Sequence, residues 1–322
     1  MSHAGPNAAA SARPSTGDQA AAPEGPKTWR DVVAAYVGLT KPRVIELLLL
    51  TTVPVMFFAE RGIPPLGLVA ATVVGGALSA GSASAYNCVY DRDIDEQMRR
   101  TRRRALPRHI VSPVSALVFA TVLAVLSTVV LALWVNWLSA ALSVLANAFY
   151  VIVYTILLKR RTTQNIVWGG LAGCFPALIG WTAVTGELAW TPVVLFLVVF
   201  FWTPPHTWAL ALRYREDYRN VDVPMLPVVK PAAEVGRQVV VYSWVMVATS
   251  LLLWPVAGTS LVYPVAAAVL GAVFLVEAHR MWKRATRSEA LTDINPMRLF
   301  HASNLYLSLL FVAVALDPLL GR

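Results

Sequence analysis

The sequence predicts an all-α polytopic membrane protein of nine transmembrane helices, and three observations carry that expectation. Its residues are 57% apolar and only 14% charged, whereas a soluble domain carries roughly 25% charge. Apolar runs of about twenty residues recur along most of the chain, the length a bilayer-spanning helix requires. The basic residues fall in alternate connections between those runs, as membrane topology demands.

Taken in order, residues 1–28 are rich in Ala, Pro, Gly and Ser without an apolar run, which predicts a disordered tail. They are too polar for a signal peptide. With Arg13, Asp18 and Glu24 they also lack the pattern of a transit peptide. The remainder, 29–322, reads as one transmembrane domain. Its spans are 42–60, 66–90, 111–133, 135–158, 165–186, 190–212, 237–257, 260–281 and 298–318. Several contain Gly or Pro (Pro54, Gly75, Gly76, Pro176, Pro204, Pro205, Pro255), which membrane helices tolerate better than soluble ones.

Of 27 Lys and Arg residues, all but Arg61 and Arg322 lie in the tail or in the connections after spans two, four, six and eight. The positive-inside rule makes that side cytoplasmic, with the amino terminus inside and the carboxyl terminus outside. The net charge of +9 is explained by this topology, so no nucleic-acid partner is called for. Cys88 and Cys174 fit neither a disulfide framework nor a metal site and read as small packing residues.

The acids gather on the same side, so the chemistry is expected there. Asn87, Asp91 and Asp95 are spaced by four, which places them on one stripe if span two continues helically to Glu96. Unpaired carboxylates on one stripe repel one another. Mg²⁺ relieves that repulsion, prefers oxygen ligands and is commonly shared with substrate phosphates. Asp93 points to the other side, towards arginines of the following loop. The competing reading is a solvated helix end whose acids neutralise nearby arginines.

A second acidic cluster, RYREDYRNVD, follows span six and places Asp217 at the same membrane face. Two carboxylate sites facing each other suit metal ions clamping a polyphosphate, with Lys159, Arg160 and intervening arginines as charge-assisted donors. Within span six, TPPHTW puts His206 beside two prolines that cannot donate backbone hydrogen bonds. An ionisable residue at membrane depth marks a functional site; a neutral packing histidine is the alternative. Phe149, Tyr150 and Tyr154 of span four are available to face the same cavity, where aromatic faces would stabilise a passing carbocation.

These residues are familiar as a set. TKPRV (Thr40–Val44), N-x-x-x-D-x-D-x-D from Asn87 and M-x-R-T-x-x-R (Met98–Arg104) resemble the UbiA-type membrane prenyltransferases. LKR-x-T-x-x-NIV (Leu158–Val167), WTPPH-x-WAL (Trp202–Leu210) and DY-x-x-x-x-x-P-M-L-P-V-V (Asp217–Val229) narrow the resemblance to members acting on haem. It covers residues 40 to about 310.

The resemblance implies nine helices around a central cavity, capped on the cytoplasmic side by the two aspartate motifs. It implies Mg²⁺-assisted loss of diphosphate from farnesyl diphosphate and attack by a vinyl group of protohaem IX. Water would then capture the new cation, giving haem O. Asn87, Asp91, Asp95 and Asp217 would be catalytic and hold the metal. Arg43, Arg100, Arg104 and Lys159 would touch diphosphate, and Trp202 and His206 would lie on the porphyrin side, His206 as axial contact or propionate partner. The cell membrane is the expected location. Membrane lipid and a downstream haem-modifying enzyme or terminal-oxidase assembly are the expected partners. One departure is Val221, where many family members have a second aspartate; Asp222 is one step off.

Three rival functions fit less of the sequence. Transfer to a quinone precursor shares the diphosphate chemistry but not the tryptophan–proline–histidine run. A secondary transporter would show inverted repeats with matched broken helices, and none is found. An assembly scaffold gives the clustered carboxylates no purpose.

Overall fold

The computed structural model describes residues 28–320; the expected tail lies almost wholly outside them. Thr28 opens the first helix with a capping box. Its hydroxyl accepts from the Asp31 amide at 3.3 Å, and the Asp31 carboxylate accepts from the Thr28 amide at 2.9 Å. The helix, α1 (Trp29–Thr40), turns Trp29, Val33 and Val37 outward along one exposed stripe. Lys41 then takes a left-handed conformation (φ 52°), and Pro42 restarts the chain at the first position of α2 (Pro42–Glu60). The sequence reading has no separate α1, because its apolar stripe is interrupted by charge and too short to span.

Next come α3 (Leu66–Tyr90) and the short α4 (Arg92–Gln97), then α5 (Pro113–Trp134), whose amino terminus Ser112 caps. Asn136 caps α6 (Trp137–Ala148), which passes into a π-helical stretch from Phe149 to Leu158. Span five is α7 (Asn165–Gly169), a tight 3-10 turn and α8 (Phe175–Thr185). Span six is α9 (Trp190–Arg213), followed by the short α10 (Arg215–Arg219) and α11 (Leu226–Val229). The chain ends in α12 (Ala232–Ala257), α13 (Val262–Ala285), α14 (Leu291–Ile294) and α15 (Pro296–Leu320). Among the described residues nine stretches are long and apolar enough to cross a membrane, matching the nine expected spans to within a few residues at each end.

Each span packs on the next in sequence, and α15 returns to α2, so the nine close into a ring. Bilayer helices gain little from apolar burial against one another, so close packing and polar contacts hold them together. The α3–α5 pair shows how. Gly75 has no room for a side chain, since a Cβ there would stand 2.6 Å from Leu131. The Gly75 carbonyl accepts from the Ser127 hydroxyl at 2.7 Å, and the Ala120 carbonyl accepts from Ser82 at 2.8 Å. At the far side of the ring Glu277 of α13, buried, accepts from Arg284 at 2.8 Å and pairs with Arg298 of α15 at 3.0 Å. That brace fixes the start of α15, which carries part of the site below.

Candidate active site

The acid stripe forms as the spacing predicts, with one difference. Helix α3 stops at Tyr90, and Asp91 (φ −88°, ψ 5°) forms a joint before α4. The register survives it, because the Asp91 amide donates to the Asn87 carbonyl and the Asp95 amide to the Asp91 carbonyl, both at 2.9 Å. Asn87, Asp91 and Asp95 therefore share one face, and all three are buried.

Every one of those groups is met by a cation. Lys41 donates to the Asn87 side-chain oxygen at 2.7 Å. Lys159 pairs with Asp91, and Arg160 reaches the same carboxylate at 3.4 Å. Arg104 pairs with Asp95 at 2.6 Å. The Asn87 amide group completes the line, donating to Asp91 at 2.6 Å and to the Thr155 hydroxyl at 3.2 Å. Burial, aided by the like charges of Arg104 and Lys159, pulls the Lys41 ammonium down to about 8. For Lys159 burial acts the same way, but Tyr154 and Asp91 outweigh it and its pKa rises above the ordinary value.

The π-helical stretch explains how span four reaches this stripe. Its wider turn lets the Lys159 amide donate to the Tyr154 carbonyl and the Thr155 hydroxyl donate to the Tyr150 carbonyl. Thr155 and Lys159 thereby meet Asn87 and Asp91. Such insertions are frequent at functional sites. Tyr154 is seated by Gly169, where a Cβ would stand 2.1 Å from the ring. Buried Asn165 secures the Lys159 turn by donating to its carbonyl at 3.0 Å.

Arg100 joins the second acidic motif to the first. Its amide donates to the buried carboxylate of Asp217 at 3.3 Å, and its guanidinium donates to the Tyr218 hydroxyl at 3.3 Å while lying over the Tyr214 and Tyr218 rings. Asp217 thus meets the loop that follows the first motif. Asp222 is exposed in a left-handed turn, away from it.

Three placements differ from the sequence reading. Arg43 is exposed and makes no ion pair among the described residues; Lys41, two residues earlier, is the cation of that segment that reaches the stripe. Asp93 pairs with Arg160 after span four, at 2.7 Å, rather than with its own loop, and the hydrogen bond from Arg160 lowers its pKa. Thr155 joins the site although sequence reasoning passed over it, since a threonine in an apolar span carries no signal of its own. Lys41 had a signal: it immediately precedes a proline that starts a helix.

The expected haem-side residues form a second constellation on α9 and α15. The helix runs unbroken through Pro204 and Pro205, and Thr203 returns its hydroxyl to the Val199 carbonyl at 2.8 Å. His206 stacks between Trp202 (centroids 4.1 Å apart) and Phe300 (4.6 Å). The Trp202 indole donates to the Ser303 carbonyl, and His206 Nδ1 meets the Ser303 hydroxyl, each at 2.8 Å. Seven residues of α9, roughly 10 Å of helix rise, separate His206 from the end of the span.

The donor set at the membrane face suits Mg²⁺. It consists of hard oxygens from Asn87, Asp91, Asp95 and Asp217. Among the described residues no three His, Cys, Asp or Glu side chains come close enough to hold a metal alone, which fits an ion completed by substrate phosphate and water. Five cations (Lys41, Arg100, Arg104, Lys159, Arg160) stand around four carboxylates (Asp91, Asp93, Asp95, Asp217), and that excess favours a polyanion.

Among the described residues, a ring of nine apolar spans with a cluster of paired cations and carboxylates at one end defines a multi-pass membrane protein. More particularly, the chain belongs to the UbiA prenyltransferase family, which matches residues 48–304. It is 84% identical over 292 residues to "Protoheme IX farnesyltransferase" of Nocardioides sp., a match covering 91% of this chain and 93% of that relative. The solved structure of a digeranylgeranylglyceryl phosphate synthase overlays with a TM-score of 0.72, over 89% of this chain and 99% of its own, at 14% identity. A UbiA homolog from Archaeoglobus fulgidus bound to DMAPP and Mg²⁺ overlays at 0.62, over 87% and 99%, also at 14% identity. At such identities the likeness is one of fold.

Proposed function

We propose that the protein transfers the farnesyl group of farnesyl diphosphate to a vinyl group of protohaem IX, with water supplying a hydroxyl, to give haem O. The observation that carries donor and acceptor is the 84% identity, across nine-tenths of the chain, to a relative bearing that activity in its name. The geometry supports the first half of the chemistry. As the bond between farnesyl C1 and diphosphate oxygen breaks, negative charge grows on the leaving group. Lys41, Arg104 and Lys159 are already fixed by Asn87, Asp95 and Asp91 to receive it, and the Arg100 guanidinium is held by the Tyr218 hydroxyl. Donors held in place before the reaction spend no free energy on reorganising during it.

Asn87, Asp91, Asp95 and Asp217 would hold Mg²⁺, which when bound supplies further positive charge opposite the departing diphosphate. Tyr150 and Tyr154, with ring centroids 5.2 Å apart, offer aromatic faces to the allylic cation. The vinyl carbon then forms the new carbon–carbon bond. Water adds at the resulting cation and loses a proton. Trp202 and His206 would hold the porphyrin.

The clustering of Lys and Arg in alternate connections supports a cytoplasmic active face in the cell membrane, with bilayer lipid around the ring. A haem-modifying enzyme or the terminal-oxidase assembly would take the product.

The test is purified protein with protohaem, farnesyl diphosphate and Mg²⁺, followed by mass spectrometry of the extracted haem. A heavier, more hydrophobic haem is expected, and chelating the metal should stop its formation. Diphosphate release without a modified haem would exclude protohaem as acceptor.

A further inference from the structure

The network around His206 decides how that ring meets its ligand, an alternative the sequence leaves open between iron and propionate. A serine hydroxyl has one proton. That of Ser303 lies 2.7 Å from the Phe300 carbonyl, which can only accept, so the hydroxyl donates there. It must then accept from the other neighbour, so Nδ1 of His206 carries the proton across their 2.8 Å contact. No carboxylate pairs with the ring among the described residues, and Trp202 and Phe300 cover both its faces. A second proton would place an uncompensated charge among apolar groups, which is costly. Nε2 is left as a lone pair, and no protein group meets it among the described residues.

A propionate needs an N–H donor, whereas haem iron needs a lone pair. We infer that Ser303 is a positioning residue that fixes the His206 tautomer, so that Nε2 serves as the axial ligand of the haem iron and not as a propionate partner. The arrangement follows the usual logic of metal-binding histidines, in which the nitrogen that does not bind metal is tied to an oxygen acceptor. Here that acceptor sits on α15, and the Trp202 indole bonds to the backbone carbonyl of the same residue at 2.8 Å. Removing only the Ser303 hydroxyl therefore leaves the α9–α15 contact in place.

This inference rests on the proposed haem acceptor, yet it is read by binding rather than turnover. Protohaem is titrated into the purified full-length protein without farnesyl diphosphate, followed by Soret absorbance and by the iron–histidine stretch in resonance Raman. The wild-type chain should show histidine-ligated haem. His206→Gly should lose that signature and regain it with added imidazole. Ser303→Ala should weaken haem binding about 10–100-fold, the usual effect of losing such a partner, and shift the iron–histidine band. Ser303→Thr, which keeps a hydroxyl, should restore both.

Wild-type affinity and band position in Ser303→Ala would overturn the inference, as would an unchanged signature in His206→Gly. A wild-type protein that farnesylates haem yet shows no iron–histidine band would overturn it too, while leaving the proposed reaction standing. Histidine-ligated haem without any farnesylated product would sink the reaction and sustain the ligand assignment.

Discussion

The two polar constellations of this molecule are built on opposite plans. At the membrane face, Asn87, Asp91 and Asp95 are braced by cations from three separate segments, the α1–α2 joint, the loop after α4 and the turn after span four, and the Arg100 amide ties in Asp217 of α10. In the interior, His206 depends on one hydroxyl and two stacked rings, all from α9 and α15. The difference matches what each would hold. A diphosphate leaves as its charge grows, so its site needs many preorganised charges. A flat, largely apolar haem needs walls and one directed contact.

That contrast ranks the effects of breaking each part. Lys159→Met should have the largest. It removes the ammonium nearest Asp91 and leaves that buried carboxylate with the neutral Asn87 amide at 2.6 Å and, among the described residues, a single cation, Arg160 at 3.4 Å. Turnover is expected to fall about 10³-fold, at the upper end for a lost charge-stabilising donor, measured as diphosphate release under saturating substrates. Gly169→Ala comes next. Its new methyl would stand 2.1 Å from the Tyr154 ring, and displacing that ring disturbs the stretch that aims Thr155 and Lys159. A displacement of about 1 Å at a reacting centre costs on the order of 10² in rate, with the fold intact by circular dichroism.

A sharper comparison lies within one motif. Lys41→Ala removes a charged hydrogen bond to Asn87, worth about 1.5–3 kcal/mol, so kcat/KM should fall about tenfold or more. Arg43→Ala, at an exposed residue with no ion pair among the described residues, should change it less than about twofold, as surface substitutions usually do. Equal losses from the two would return Arg43 to the place the motif alone suggests.

That pair also shows how far the sequence could be read. The nine spans were legible because lipid imposes a simple rule of length and apolarity, and the acid stripe because helical spacing survives the joint at Asp91. Periodicity does not rank Lys41 above Arg43, since their difference is made by a left-handed residue at position 41 whose one signal is the proline that follows it. The π-helical stretch was hidden for a similar reason. It depends on a glycine in the next span making room for Tyr154, a contact between positions fifteen residues apart. Ser303 was invisible because its importance comes from facing His206 across two helices.

The central claim is that the diphosphate site and the haem site act on different substrates and can be disabled separately. It is tested most directly by measuring, in Asp91→Asn and His206→Ala side by side, both diphosphate release from farnesyl diphosphate and the spectrum of bound protohaem. The account predicts that Asp91→Asn loses diphosphate release while its haem spectrum stays that of the wild-type protein. It predicts that His206→Ala loses the haem spectrum while still binding farnesyl diphosphate with wild-type affinity. Loss of both properties in either variant, with the protein folded, would contradict it.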